Sequence, residues 1–185
     1  MEIMEKYTDA LILHYHLNRQ DALLLRHGVN IILLDGTEIL CALLLSFIFD
    51  STRETVLYIV WFSNLRVHGG GYHTKTPVSC FISYLILFLL FVFLIHTKLN
   101  LLLPGLLSVM LIWLIAPVEH PLNPLTRKEY RLNQLKLQIQ LTASLFLITV
   151  LPNQYRNYTN TICITLLFSV ILEYILVVYK RGTQQ

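Results

Sequence analysis

Residues 66–80 read RVHGGGYHTKTPVSC. His73 and Cys80 stand seven residues apart here, with three glycines before the one and a Thr-Pro pair before the other. These are the residue types of a thiolate nucleophile with an imidazole partner. Thr76-Pro77 reads as a helix start: threonine is a good N-cap, and proline is favoured at the first helical position, where its missing N–H is not needed. Cys80 then falls in the first turn. The positive end of the helix dipole favours a thiolate there, and unpaired N–H groups suit an oxyanion beside the sulfur. On one continuous helix His73 and Cys80 would be separated by about 10.5 Å along the axis, and Pro77 excludes such a helix. The segment must bend, which lets His73 return to the helix start. Gly69, Gly70 and Gly71 open backbone bends closed to other residues and let a bound peptide come close. Each residue also has a plainer reading. A single cysteine in a membrane helix is commonly a small packing residue, a histidine near a membrane surface is commonly solvated, and three glycines alone make a loop. Spacing by itself leaves both readings open.

The elements that must position this segment are those of a membrane protein. The chain has 185 residues, 55% of them hydrophobic and 14% charged, with a mean hydropathy of +0.60. A soluble domain carries about a quarter charged residues. The length suits one compact helical domain over 1–185. The net charge of +3 comes from scattered basic residues, which read as topology determinants and exclude nucleic acid as a partner. Cys41, Cys80 and Cys163 have no CxxC spacing, so neither a disulfide framework nor a structural zinc site is expected. The N-terminus carries acids early and lacks the short apolar core of a signal peptide.

In residues 1–27, Met4, Tyr7, Leu11 and Tyr15 fall at helical spacing, with Glu2, Glu5, Lys6 and Asp9 between them. That is an amphipathic helix, either lying in the membrane interface or packed on the bundle. Residues 29–49 are the first span. Asp35 and Glu38 interrupt it, either facing protein or water within one helix or marking a break at Asp35-Gly36-Thr37. Residues 55–65 are apolar but short, a second crossing or a segment that only dips into the membrane. Residues 78–95, 99–116 (with Pro104-Gly105 inside), 137–151 and 161–179 complete the set. The expected fold class is all-α: a polytopic integral membrane bundle of about six helices plus the amphipathic N-terminal helix. Lys180-Arg181, a loop at 117–136 with Arg127, Lys128, Arg131 and Lys136, and a loop at 66–77 with Arg66 and Lys75 fall on one side. The positive-inside rule makes that side cytoplasmic, with both termini inside if 55–65 crosses and the N-terminus outside if it only dips in.

The quoted stretch resembles the active-site signature of the accessory gene regulator B family. The match rests on Arg66, Gly70, Gly71, Tyr72, His73 and Cys80. APVEHPLNPLT, residues 116–126, resembles the family's proline-rich loop, and size and hydropathy agree over nearly the whole chain. Thr74 stands where the family commonly has alanine, and His68 is an extra histidine with no assigned role. The resemblance implies a multi-pass cysteine endopeptidase of the bacterial cell membrane, its active site at the cytoplasmic face, processing the propeptide of a quorum-sensing pheromone. Cys80 and His73 would be catalytic; Arg66, Gly70, Gly71 and Tyr72 would bind substrate or shape the loop. A thioester on Cys80 would close into a thiolactone or lactone ring. No cofactor and no metal are implied. The partners implied are a small amphipathic propeptide, membrane lipid and a second copy of the chain.

For Arg66 a plain topology role stands beside contact with a propeptide carboxylate or support of the loop. Asn64, Glu54 and Glu119 are weak candidates for a third group orienting His73. Cys41 and Cys163 lack a neighbouring histidine and read as packing residues. Two other classes stay in view. A metal-dependent membrane hydrolase would draw on His68, His73, Cys80 and His120, without an HExxH pair. A small transporter would draw on Asp35, Glu38 and Glu173 as intramembrane polar groups, without detectable internal repeats.

Overall fold

The computed structural model describes residues 9, 12–15, 18–70, 76–97, 99–118 and 126–182. They form α1 (Arg19–Ile48), α2 (Thr52–Gly69), α3 (Pro77–His96), α4 (Leu102–Ile115), α5 (Arg127–Val150), a 3-10 turn (Asn153–Tyr155) and α6 (Arg156–Gly182). Among the described residues there is no strand, so the chain is all-α as expected. Among the described residues, three stretches are long and apolar enough to cross a membrane: Gln20–Ile48, Val78–His96 and Arg156–Tyr179. Leu102–Ile115 is apolar but shorter.

The chain divides into two compact units, Met1–Cys41 and Ala42–Gln185. In the first, the Asn18 side chain accepts from the Asp21 N–H at 2.9 Å and caps α1; Arg26 pairs with Asp9 at 2.6 Å. The amphipathic helix expected over 1–27 lies largely outside the described residues, and α1 already begins at Arg19. No break occurs at Asp35-Gly36-Thr37: α1 runs through it, and the Thr37 hydroxyl donates back to the Leu34 carbonyl at 2.7 Å. Asp35 is exposed and Glu38 is buried.

In the second unit α6 touches α2, α3, α4 and α5. Its buried face carries Thr161, Thr165 and Ser169 at four-residue spacing. Thr161 donates to the Asn157 carbonyl at 2.8 Å, and Thr165 donates to the Thr161 carbonyl. Small side chains that satisfy their hydroxyls on their own helix let neighbouring backbones come close. α4 uses this at Gly105, where an added Cβ would run into Cys163 Sγ and lie 2.8 Å from its Cβ. The packing role expected for Cys163 is thus seen directly. Gly105→Leu is expected to destabilise the bundle by about 1–3 kcal/mol, the usual cost of overpacking a full interior. A lowered unfolding midpoint in mixed detergent micelles checks this.

α2 meets α3 through aromatic rings. Tyr58 stacks on Phe91 at 4.4 Å between centroids and on Phe62 of its own helix at 5.2 Å. α2 meets α5 through a polar clasp: Trp61 Nε1 donates to Ser144 Oγ at 2.8 Å, and Gln140 Nε2 donates to the Trp61 carbonyl at 2.9 Å.

Two expected loops are partly helix. α5 starts at Arg127, so Arg127, Lys128, Arg131 and Lys136 stand on a helix and not in a loop ending at 136. The reason is local: Thr126 and Glu129 form a reciprocal capping box, each side chain accepting from the other residue's N–H. Donation from the Thr126 N–H and from the Thr126 hydroxyl holds the Glu129 carboxyl below its ordinary pKa of 4.5. Its contribution is therefore complete above that value and fades as pH falls through the lower folded-state pKa. Acidification is expected to fray the start of α5, read as faster amide exchange at residues 127–130. Likewise α6 starts at Arg156, within the loop expected at 152–160.

Candidate functional site

The start of α3 has the expected capping geometry. Thr76 is extended (φ −123, ψ 145), its Oγ1 accepts from the Ser79 N–H at 3.2 Å, and Pro77 opens the helix. The Cys80 N–H donates to the Thr76 carbonyl at 3.0 Å. Of the N–H groups at 77–80, proline therefore supplies none, and those of Ser79 and Cys80 are engaged. This narrows the expectation of unpaired donors beside the sulfur: the Thr76 side chain engages the Ser79 N–H and its carbonyl that of Cys80. The Cys80 side chain is half-buried, one turn before buried Tyr84.

Upstream, α2 continues through Gly69. Arg66 and His68 thus occupy its last turn, where a loop from 66 was expected. The Arg66 guanidinium lies over the Phe62 ring, 5.9 Å from its centroid. His68 Nδ1 is 3.3 Å from Asn133 Oδ1 on α5. Gly70 ends the helix at φ 88, ψ −165, its N–H donating to the Arg66 carbonyl at 3.2 Å. The Gly69 carbonyl accepts from the Val118 N–H at 2.9 Å, and a Cβ on Gly70 would collide with the Val118 carbonyl oxygen. The chain just after α4, including the cis Ala116–Pro117 peptide, therefore packs on this glycine corner. Gly71, Tyr72 and His73 lie outside the described residues, as do Glu119 and His120. Among the described residues no three His, Cys, Asp or Glu side chains converge on a point that would hold a metal ion.

Two candidates for a third group can be placed in the structure. The Asn64 amide donates to the Val60 carbonyl of its own helix at 2.8 Å, on an exposed face. Glu54 stands on the first turn of α2 and accepts from Asn157 Nδ2 at 3.3 Å. With His96 and Asn160 it lines a cavity of about 290 Å³. That cavity fixes one end of the bundle. Fifteen residues separate Glu54 from Gly69 on α2, sixteen separate Asn157 from Glu173 on α6, and sixteen separate His96 from Cys80 on α3. At 1.5 Å per residue each path is about 22–24 Å. Gly69, Glu173 and Cys80 consequently share the opposite level.

Glu173, one of the intramembrane polar residues of the sequence, lies at this level on α6. It is fully buried (0% exposed), and a Cβ on Gly69 would lie 2.6 Å from its Oε1. A lone carboxylate in an apolar stretch was the available signal; its register against Gly69 was not.

Fold and site together define a helical membrane protein with a half-buried thiol at a capped helix start, level with a glycine corner. The model of the accessory gene regulator B family matches residues 4–173, and the chain belongs to that family. It is 26% identical over 157 residues to a Clostridium acetobutylicum protein whose name calls it AgrB-like, covering 80% of this chain and 75% of the relative. It is 27% identical over 152 residues to a Clostridium perfringens protein named in the same way, covering 80% of this chain and 81% of the relative. No solved structure matches it significantly. Membership places the protein in the accessory gene regulator system of quorum sensing.

Proposed function

We propose that the protein is a membrane cysteine endopeptidase that cuts a small amphipathic pheromone propeptide and closes part of it into a ring. The observation that carries this reading is the placement of Cys80 at the Thr76-capped start of an apolar helix, level with the end of α2 that leads into the glycine-rich connection. Membership of the accessory gene regulator B family supports it.

The chemistry follows from those groups. His73 takes the Cys80 proton, and the thiolate attacks a backbone carbonyl of the propeptide. The C–N bond breaks, the imidazolium returns its proton to the leaving amine, and the N-terminal part stays on Cys80 as a thioester. A Cys or Ser side chain within that part attacks the thioester and expels the Cys80 thiolate, giving a thiolactone or lactone. Thiol-for-thiol exchange is nearly isoenergetic, so closure needs no nucleotide hydrolysis while water is kept from the acyl-enzyme. Arg66, Gly70, Gly71 and Tyr72 bind the propeptide or shape the connection.

The chain is read as one membrane domain over 1–185 with about six crossings, an amphipathic N-terminal helix and the site at the cytoplasmic face. The basic residues Arg66, Arg127, Lys128 and Arg131 stand towards the Cys80 end, since His68 beside Arg66 meets Asn133 near the start of α5. This distribution supports the assignment of that end to the cytoplasm. A second copy of the chain is the expected partner in the membrane.

Intact-mass spectrometry of the protein in nanodiscs, mixed with the propeptide encoded beside it, tests the reading. The expected result is a mass gain equal to the N-terminal propeptide fragment, removed by hydroxylamine. Cleavage with no such adduct under rapid acid quench would reject the thioester route.

A further inference from the structure

We propose that the end of the bundle away from Cys80 holds one phospholipid with a primary-ammonium headgroup, its head in the polar cavity lined by Glu54, His96 and Asn160 and an acyl chain in an apolar cleft beside it on α3. This goes beyond the peptidase reading and does not depend on it. The cavity lies at the membrane boundary: the apolar span Val78–His96 ends there and the span Arg156–Tyr179 begins there. Its wall carries both signs of charge. Asp50 and Glu54 come from the turn before α2 and from its first helical turn, and Arg156 opens α6, where the helix dipole adds positive potential. Ser51 also lines it. That side chain is 2% exposed, and its hydroxyl has no hydrogen-bond partner among the described residues. A buried hydroxyl of this kind calls for a partner.

The chemistry of the wall selects the headgroup. A phosphodiester suits Arg156 and the start of α6. A primary ammonium brings N–H donors only, and one short run of chain offers it acceptors: the Asp50 and Glu54 carboxylates and the Ser51 hydroxyl. His96 adds another. Its Nδ1–H donates to the Val92 carbonyl at 2.9 Å, which leaves Nε2 as the acceptor of the neutral ring. A quaternary ammonium has no N–H to give and is recognised by aromatic faces; none of the described lining residues is Phe, Tyr or Trp. An anionic head without an ammonium would set its charge against two carboxylates. The tail follows from continuity. His96 and Thr97 also border a cleft of about 350 Å³, whose other described walls are Phe49, Leu89, Val92 and Phe93. Leu89 stands seven residues before His96, so the cleft runs about 10.5 Å along α3 from the membrane boundary into the hydrocarbon. A polar chamber at headgroup depth that shares a wall with an apolar cleft at acyl depth fits a lipid. A free zwitterion would leave the cleft unused.

Native mass spectrometry tests this on the full-length protein in detergent micelles, titrated separately with dioleoyl phosphatidylethanolamine, phosphatidylcholine and phosphatidylglycerol. Phosphatidylethanolamine is expected to bind on the order of tenfold more tightly than either of the others. Glu54→Gln should remove most of that preference by weakening phosphatidylethanolamine alone. Arg156→Gln should weaken phosphatidylethanolamine and phosphatidylcholine alike, because both carry the phosphate. Asp50→Asn is the second variant: asparagine tolerates the φ of 50 that Asp50 adopts, so the turn survives and only the charge is lost. Equal retention of the three lipids, tighter binding of either of the others, or a wild-type preference in both Glu54→Gln and Asp50→Asn would overturn the proposal. Should Glu54→Gln fail to fold, a wild-type preference in Asp50→Asn overturns it alone. Free phosphoethanolamine at equal concentration should leave the lipid bound. Displacement by it would mean that the cleft on α3 contributes nothing, and the lipid would give way to a soluble zwitterion as the occupant.

Discussion

Cys80→Ala is expected to abolish the hydroxylamine-sensitive adduct and propeptide cleavage together. Cys80→Ser should retain the shape of the site and still lose on the order of 10³ in rate or more, because a hydroxyl is a far weaker nucleophile than a thiolate at neutral pH. Neither change should cost much stability. Cys80 is half-buried, and the helix start is held by the Thr76 side chain and by backbone hydrogen bonds that do not involve the sulfur. Cys163→Ala is the control. That thiol is buried against Gly105, so its loss should lower stability and leave the adduct in place. Adduct and cleavage persisting at wild-type rate in Cys80→Ala would remove Cys80 as nucleophile.

The second large effect is expected at Gly70. Its φ of 88 with ψ of −165 belongs to a region open essentially to glycine alone, where another residue stores about 1–3 kcal/mol of strain. Gly70→Ala adds a collision with the backbone oxygen of Val118, which cannot rotate away as a side-chain tip would. The hydrogen bond from Val118 to Gly69 should open, and the direction in which the chain leaves α2 towards His73 should change. We expect a lower thermal midpoint in detergent and a slower rate of adduct formation. Gly36→Ala is the comparison: nothing lies within 4 Å of its added Cβ, so alanine there should be neutral or should stabilise α1 by about 0.5–1 kcal/mol. Equal behaviour of the two variants would show that the corner at Gly70 is not strained by a side chain.

What could be read in the sequence was local chemistry. The start of α3 at Thr76-Pro77 was legible because a cap and a proline act on the turn that contains them. The start of α5 carried an equally local signal, Thr126 three residues before Glu129, but the basic, polar first half of that helix has no hydropathy peak. A span defined by apolar residues therefore began ten residues late, at 137. α2 was cut short for a related reason: Arg66 and His68 look like loop residues, although the helix goes on to Gly69. The candidate site divides in the same way. Cys80 and its cap were read from neighbours in the chain. The placement of Glu173 against Gly69 depends on how α6 sits beside α2, and no pattern within either segment reports that.

The contact between Gly105 and Cys163 also bears on how this bundle comes apart. The outward faces of α3 and α4 carry side chains such as Phe93 and Leu114, 66% and 77% exposed, which acyl chains solvate as well as another helix would. Exclusion from water therefore does little to hold α4 against α6; close backbone approach and dispersion contacts do. Urea, which acts by solvating apolar and peptide groups in water, has little to weaken at such an interface. An amphiphile that intercalates between helices competes for the same contacts directly, and lateral pressure in the bilayer becomes the variable that sets how tightly the helices stay together.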